Sequence, residues 1–212
     1  SEINHGYDFR CNEQKIESTK KFLSKLWNVS RFLSSFPVIE SGKLGAADKW
    51  ILAELDKLIK ECNGGYEEYN FFIPAIAIRE FTWNVFAAHY IEMVKARAYG
   101  IEFSDEERDG AIFTLHKTLS TILKLLAPIT PFITEHLWKE LYSKDSIHKE
   151  KQVTPENIKD QSNITKEISE FNSKVWNEKK SQSLSLKDSI KIKIPESLSE
   201  FEKDLKSMHN LE

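Results

Sequence analysis

Residues 20–33 read KKFLSKLWNVSRFL. An α-helix turns by about 100° per residue, so positions three and four apart share a face. On that geometry Phe22, Leu26, Val29, Leu33 and Phe36 line one apolar stripe, widened by Leu23 and by Trp27 at its margin. The stretch is therefore a helix that buries one side, and the fold is expected to be helical. Phe32 breaks the pattern. It falls roughly 120° from the centre of the stripe, on the face of Lys21, Lys25 and Asn28. Two explanations stand side by side: the ring faces solvent for a purpose, or a second neighbour covers that face in a bundle.

Working outward, this first helix is expected from about Glu13 to Phe36, ending near Pro37. AADKWILAELDKLIKEC is the second, with Asp48 as a cap near its start and Asn63-Gly64-Gly65 as its stop. The third runs from about Asn70 to Tyr99 on a stripe through Phe72, Phe81, Phe86, Tyr90 and Val94. Ser104 and Glu107 fit a capping box for the fourth, which Pro128 and Pro131 should break before a second half from Phe132 to Tyr142. Beyond Tyr142 a polar loop leads to a helix through Ile168, Phe171 and Val175. SIKIKI then alternates like a half-buried strand, and a short helix closes the chain.

The expected architecture is thus mainly α: an antiparallel bundle of four long helices over residues 15–142, with a small C-terminal α+β appendage over 143–212. Residues 1–14 read as a junction from a preceding domain.

Composition agrees with this architecture. Of 212 residues 40% are hydrophobic, with 13 Phe and 5 Trp, enough for a real core. Seven glycines and six prolines are too few for a turn-rich sandwich. The net charge of −3 and pI near 6.1 give no chain-wide basic footprint, so a nucleic acid would have to be met by a local patch. Cys11 and Cys62 fit neither a disulfide framework nor a metal spacing, which points to a reducing cytoplasmic setting. No apolar run approaches the roughly 20 residues that cross a bilayer, so no membrane partner is expected. The opening SEINHGYDF has no initiator Met and reads as a piece of something longer.

Catalytic patterns are missing from the sequence. It carries no glycine-rich phosphate loop and no nucleophile elbow. The histidines at 5, 89, 116, 136, 148 and 209 are scattered, and His116 and His136 are expected to pack or sit at the surface rather than hold a metal. Glu67/Glu68 and Glu106/Glu107 are expected to be solvated in polar connections. No catalytic residue, metal or cofactor is therefore assigned to this chain.

The Phe32 face suits an unpaired RNA base. A flat ring stacks on any base, lysines meet phosphates, and an amide reads a base edge. From Lys15 to Arg31 five cations (Lys15, Lys20, Lys21, Lys25, Arg31) stand against Glu17 alone.

The residues also resemble a family. KKFLSKLWNVSRF, DKWIL and LAPITPFITEHLW are similar, in that order, to segments of the anticodon-binding domain of class I aminoacyl-tRNA synthetases of the valine, isoleucine and leucine group. IREFTWNVFAAHYIEMVKARAY and VWNEKKSQSLSLKDSIKIKI are most similar to the valyl members. The resemblance covers nearly the whole chain from Gly6. It implies a fragment that grips the anticodon of a valine-accepting tRNA, as a monomer, within an enzyme that attaches valine using ATP and magnesium. Those activities would reside in segments outside these residues.

By the same resemblance Arg31 and Phe32 match an anticodon-contacting pair, with Asn28, Lys25, Lys21, Lys15 and Arg10 as further candidates. Lys179, Lys180, Lys187, Lys191 and Lys193 form a second strip for the tRNA backbone, or simply a solvated face. Two alternatives remain at this point: the same domain of an isoleucyl or leucyl enzyme, or a helical protein-interaction module without RNA.

Overall fold

A computed structural model describes residues 13–212. Along α1 (Glu13–Leu33), Phe22, Leu26, Val29 and Leu33 are buried as the spacing requires, each contributing about 1.5–3 kcal/mol of apolar burial. Phe36 completes the stripe from just beyond the helix. The helix ends at Leu33, short of Phe36, because Ser34 and Ser35 hydroxyls turn back to donate to the carbonyls of Arg31 and Phe32.

α2 (Ala46–Glu67) begins with the expected cap: the Gly45 N–H donates to Asp48 Oδ2 at 2.8 Å. The expected stop at Asn63-Gly64-Gly65 is wrong, since the helix runs through it. Gly65 serves close approach instead. A β-carbon there would lie 2.7 Å from Pro74 Cδ, so its absence lets the next helix pack tightly.

α3 (Phe72–Glu80), a π-helical segment (Phe81–Tyr90) and α4 (Ile91–Ala98) follow one another without a break. Within the π segment hydrogen bonds reach five residues rather than four. Buried side chains accordingly recur as Phe81 and Thr82, Phe86 and Ala87, Tyr90 and Ile91. Trp83 and Asn84 are left facing outward.

α5 (Asp105–Leu126) opens with the expected Ser104–Glu107 capping box. Glu107 is therefore not a solvated loop carboxylate. The Ser104 amide first, and then Lys203, hold its carboxyl down at about 2. The chain breaks after Leu126 and resumes as α6 (Pro131–Leu141). At the α5 start the α1–α2 loop packs backbone to backbone, with Gly110 against the Lys43 carbonyl and Gly42 against the Gly110 amide. A β-carbon at either glycine would collide.

The regular elements of the C-terminal part are all helical, long loops joining them. They include α7 (Ser162–Ser181), a 3-10 turn (Glu196–Phe201) and α8 (Glu202–His209). SIKIKI forms no strand, which corrects the α+β expectation for the appendage; one bridge, Ile190 to Leu211, is all the pairing it makes. Its alternation is real, since Ile190 is buried and Ile192 and Ile194 are half-buried against the core. What it lacks is a neighbouring strand to complete a ladder.

Buried polar groups tie these pieces together. Asp56, buried on α2, accepts from the backbone amides of Glu156, Asn157 and Ile158 and so pins the loop before α7. Burial raises its pKa, but Lys60 and these amides outweigh that and leave it lowered. Asp48 takes both Nη atoms of Arg97, at 2.7 and 2.8 Å, and the Tyr90 hydroxyl at 2.6 Å. The Arg97 Nε also stands 3.1 Å from Asp204 Oδ1 on α8. That contact is ionic only: the N–H is not aimed at the oxygen, and neither atom has a hydrogen-bond partner. Nearby, His209 Nε2 donates to Asn172 Oδ1 at 2.7 Å and Asn172 Nδ2 donates to His89 Nδ1 at 2.9 Å, a bond that requires His89 Nδ1 to be unprotonated.

These groups set a pH response. Burial pushes the Asp204 carboxyl up to about 6 from 3.8, with Arg97 opposing. A raised folded-state pKa contributes stability that is full below 3.8 and lost as pH rises through about 6. Burial, then Lys179 and His89, push His209 down to about 4 from 6.5. That contribution is full above 6.5 and lost as pH falls toward 4. The two oppose each other between these limits. Asp204→Asn removes the first, so the variant should lose stability more steeply than the native chain on acidification from pH 6.5 to 4. Urea midpoints across that range check it, and parallel curves would rule it out.

Candidate nucleic-acid interface

α1 presents its polar side as a ridge with two flanks. On one flank lie Lys21, Lys25, Asn28 and Phe32, the face singled out by spacing. Lys21 and Asn28 are exposed and Lys25 is half-buried. Lys25 Nζ sits 5.7 Å from the centroid of Trp83, which is 39% exposed. Phe32 does not stand free in solvent, which corrects the expectation of a fully presented ring. It is half-buried, edge-on to Phe36 at 5.3 Å and to Tyr99 at 6.3 Å, with Lys95 Nζ 5.7 Å from its centroid. Tyr99 is 53% exposed. The result is a strip of rings and cations built by two elements, with Trp83, Lys95 and Tyr99 supplied by the α3–π–α4 rod. Such pairs lie within the reach of cation–π attraction.

Arg31 does not accompany Phe32. It faces the opposite flank, beside Trp27, which is 45% exposed and stacked on His136. Trp27 was expected to pack as part of the core margin; it is a surface ring instead. Lys20, Lys21, Lys25 and Arg31 meet no carboxylate among the described residues, so α1 keeps a local positive field. Arg10 and the Lys15 side chain lie outside the described residues.

The C-terminal lysine strip divides. Lys180, Lys187, Lys191 and Lys193 are exposed, with Lys191 3.6 Å from Glu212. Lys179 is buried and cannot touch a tRNA backbone. Its ammonium donates to the carbonyls of Leu186 at 2.8 Å and His209 at 2.7 Å. Burial lowers its pKa, with Asp188 opposing. It is a tie between α7 and the segments that follow, and sequence spacing had no means of separating it from its neighbours. His116 is likewise structural, its ring nitrogens 3.3 Å from the Phe36 carbonyl and 3.2 Å from the Tyr142 hydroxyl.

Trp83, Lys95 and Tyr99 were not singled out from sequence. Lys95 and Tyr99 are four apart on one helical face, a legible signal. Trp83 was not legible, because the π segment shifts its direction from the one α spacing gives.

A family model for the anticodon-binding domain of tRNA ligases matches residues 48–194. The chain belongs to that family. Relatives that match nearly the whole of this chain, α1 included, are each called valine–tRNA ligase. The relative from Pyrobaculum aerophilum is 41% identical over 214 residues, spanning 97% of this chain and 26% of the relative. That from Aeropyrum pernix is 36% identical, over 96% of this chain and 26% of the relative. That from Nanoarchaeum equitans is 36% identical, over 100% of this chain and 27% of the relative. This anticodon-binding domain thus spans about a quarter of the length of the curated relatives it matches. No described helix is long and apolar enough to cross a membrane.

Proposed function

We propose that the chain reads the anticodon stem-loop of a valine-accepting tRNA, as part of a longer, monomeric cytoplasmic enzyme that attaches valine using ATP and magnesium. On this reading residues 15–142 form the RNA-facing bundle of four long helices, and 143–212 brace it. The observation that carries the reading is the strip of Phe32, Tyr99 and Trp83 with Lys21, Lys25 and Lys95. Rings at its surface offer stacking faces, and the cations lie where the flanking phosphates would pass. The names of relatives that match nearly the whole of this chain support valine as the amino acid. Lys180, Lys187, Lys191 and Lys193 would extend the contact along the tRNA backbone.

The test is binding of stem-loops carrying valine and isoleucine anticodons at two salt concentrations. Affinity should favour the valine loop and fall steeply as salt rises, because each neutralised phosphate releases counterions. Phe32→Ala should weaken binding by about 1–3 kcal/mol. Phe32 also packs, so Tyr99→Ala is the cleaner companion: its ring is more than half exposed, and binding should drop with the unfolding midpoint held. Affinity indifferent to salt and to both rings would favour a protein-interaction module instead.

A further inference from the structure

The second flank of α1 is built for contact as well. Trp27 and His136 lie parallel, 1° apart with centroids separated by 5.5 Å. One indole face is thus occupied while the residue stays 45% exposed, a costly arrangement for the largest apolar side chain. Beside the pair opens a pocket of about 430 Å³, lined among others by Trp27, Ser30, Arg31, Ser34, His136 and Glu140. That volume falls in the range of small-ligand sites. Arg31 stands exposed at the rim and meets no carboxylate among the described residues. Lys20, seven residues before Trp27, lies on the same side of α1 and is also exposed.

We propose that the Trp27–His136 pair is a second stacking platform, which holds an unpaired nucleobase while Arg31 pairs with its phosphate. The proposal rests on the anticodon reading above and extends it: successive unpaired nucleotides straddle α1, one over the Phe32–Tyr99 flank and another over Trp27. The chemistry is apportioned accordingly. Every base has a π-face for the indole and imidazole. The guanidinium fork fits phosphate oxygens. Glu140, on the α6 side, repels phosphate and accepts from an exocyclic base amine, so the base enters the pocket and the backbone stays on the Arg31 side.

The experiment uses this chain and a valine-anticodon stem-loop RNA. Trp27→Ala should weaken binding about 5- to 150-fold, the range of one lost base stack. Trp27→Phe should keep most of the affinity, and Arg31→Ala should reduce the salt slope by about one unit. Indole emission supplies a direct readout, since RNA should quench the native chain more than Trp27→Phe. Far-ultraviolet circular dichroism checks that each variant is folded, and Arg31→Ala and Trp27→Phe keep the test decisive if Trp27→Ala is not. Phe32→Ala runs alongside. If it weakens binding while the Trp27 and Arg31 variants bind and quench like the native chain, the second platform is overturned and the anticodon reading stands. If neither flank matters, both fall.

Discussion

Arg97→Ala is expected to cost the fold about 3–5 kcal/mol, the usual consequence of removing one partner from a buried ion pair. Among the described residues the guanidinium is the one cation in contact with both of two buried carboxylates, Asp48 and Asp204. Without it Asp48 keeps only the Gly45 amide and the Tyr90 hydroxyl, and Asp204 faces Asp48 with only the weaker opposing charge of Lys203. Native domains are stable by about 5–15 kcal/mol, so the loss takes a large share of the total. It should appear as a lower urea midpoint with an unchanged slope. Replacing Asp48, Arg97 and Asp204 together by apolar residues of similar volume should cost much less, because no orphaned charge remains. A single-variant cost under about 1 kcal/mol would mean that water reaches the cluster.

Trp50→Ala is the second large effect, at about 3–5 kcal/mol for a buried aromatic reduced to a methyl group. The indole is fully buried on α2 and lies beside Tyr90 at 6.5 Å. Its Nε1–H also donates to Thr165 Oγ1, which donates in turn to Glu54 Oε1 at 2.8 Å. The substitution therefore opens a cavity and breaks the relay that seats α7 on α2. Trp50→Phe keeps most of the volume and loses only the relay, so the gap between the two variants measures packing alone. Amide exchange in α7 should rise in both. Exchange unchanged in Trp50→Phe would show that the relay contributes nothing to holding α7.

What could be read from the sequence was local. The α1 stripe, the Ser104 capping box and the proline break before α6 each depend on residues within a turn or two, and all three formed. Features decided by distant chain were not legible. Phe32 was correctly placed off the core stripe, but its covering comes from Phe36 and from Tyr99, 67 positions later. Lys179 sits in a lysine-rich run that charge density assigns to solvent, yet carbonyls of Leu186 and His209 surround its ammonium. SIKIKI has a strand's alternation, but a strand needs a neighbour that no local pattern can supply. The candidate interface follows the same division: Lys21, Lys25 and Asn28 were legible on one helix, while Trp83 needed the π segment and the parting of Arg31 from Phe32 needed the fold.

The Arg97 cluster also bears on how the chain is made. Its guanidinium reaches for a carboxylate in α2, already synthesised, and for another in α8 that the ribosome delivers more than a hundred residues later. Domains generally fold as units, starting from the N-terminus as they emerge. Here the nascent bundle would have to wait, with that arginine half-answered, until Asp204 clears the exit tunnel. Native closure of the cluster thus waits for the synthesis of α8.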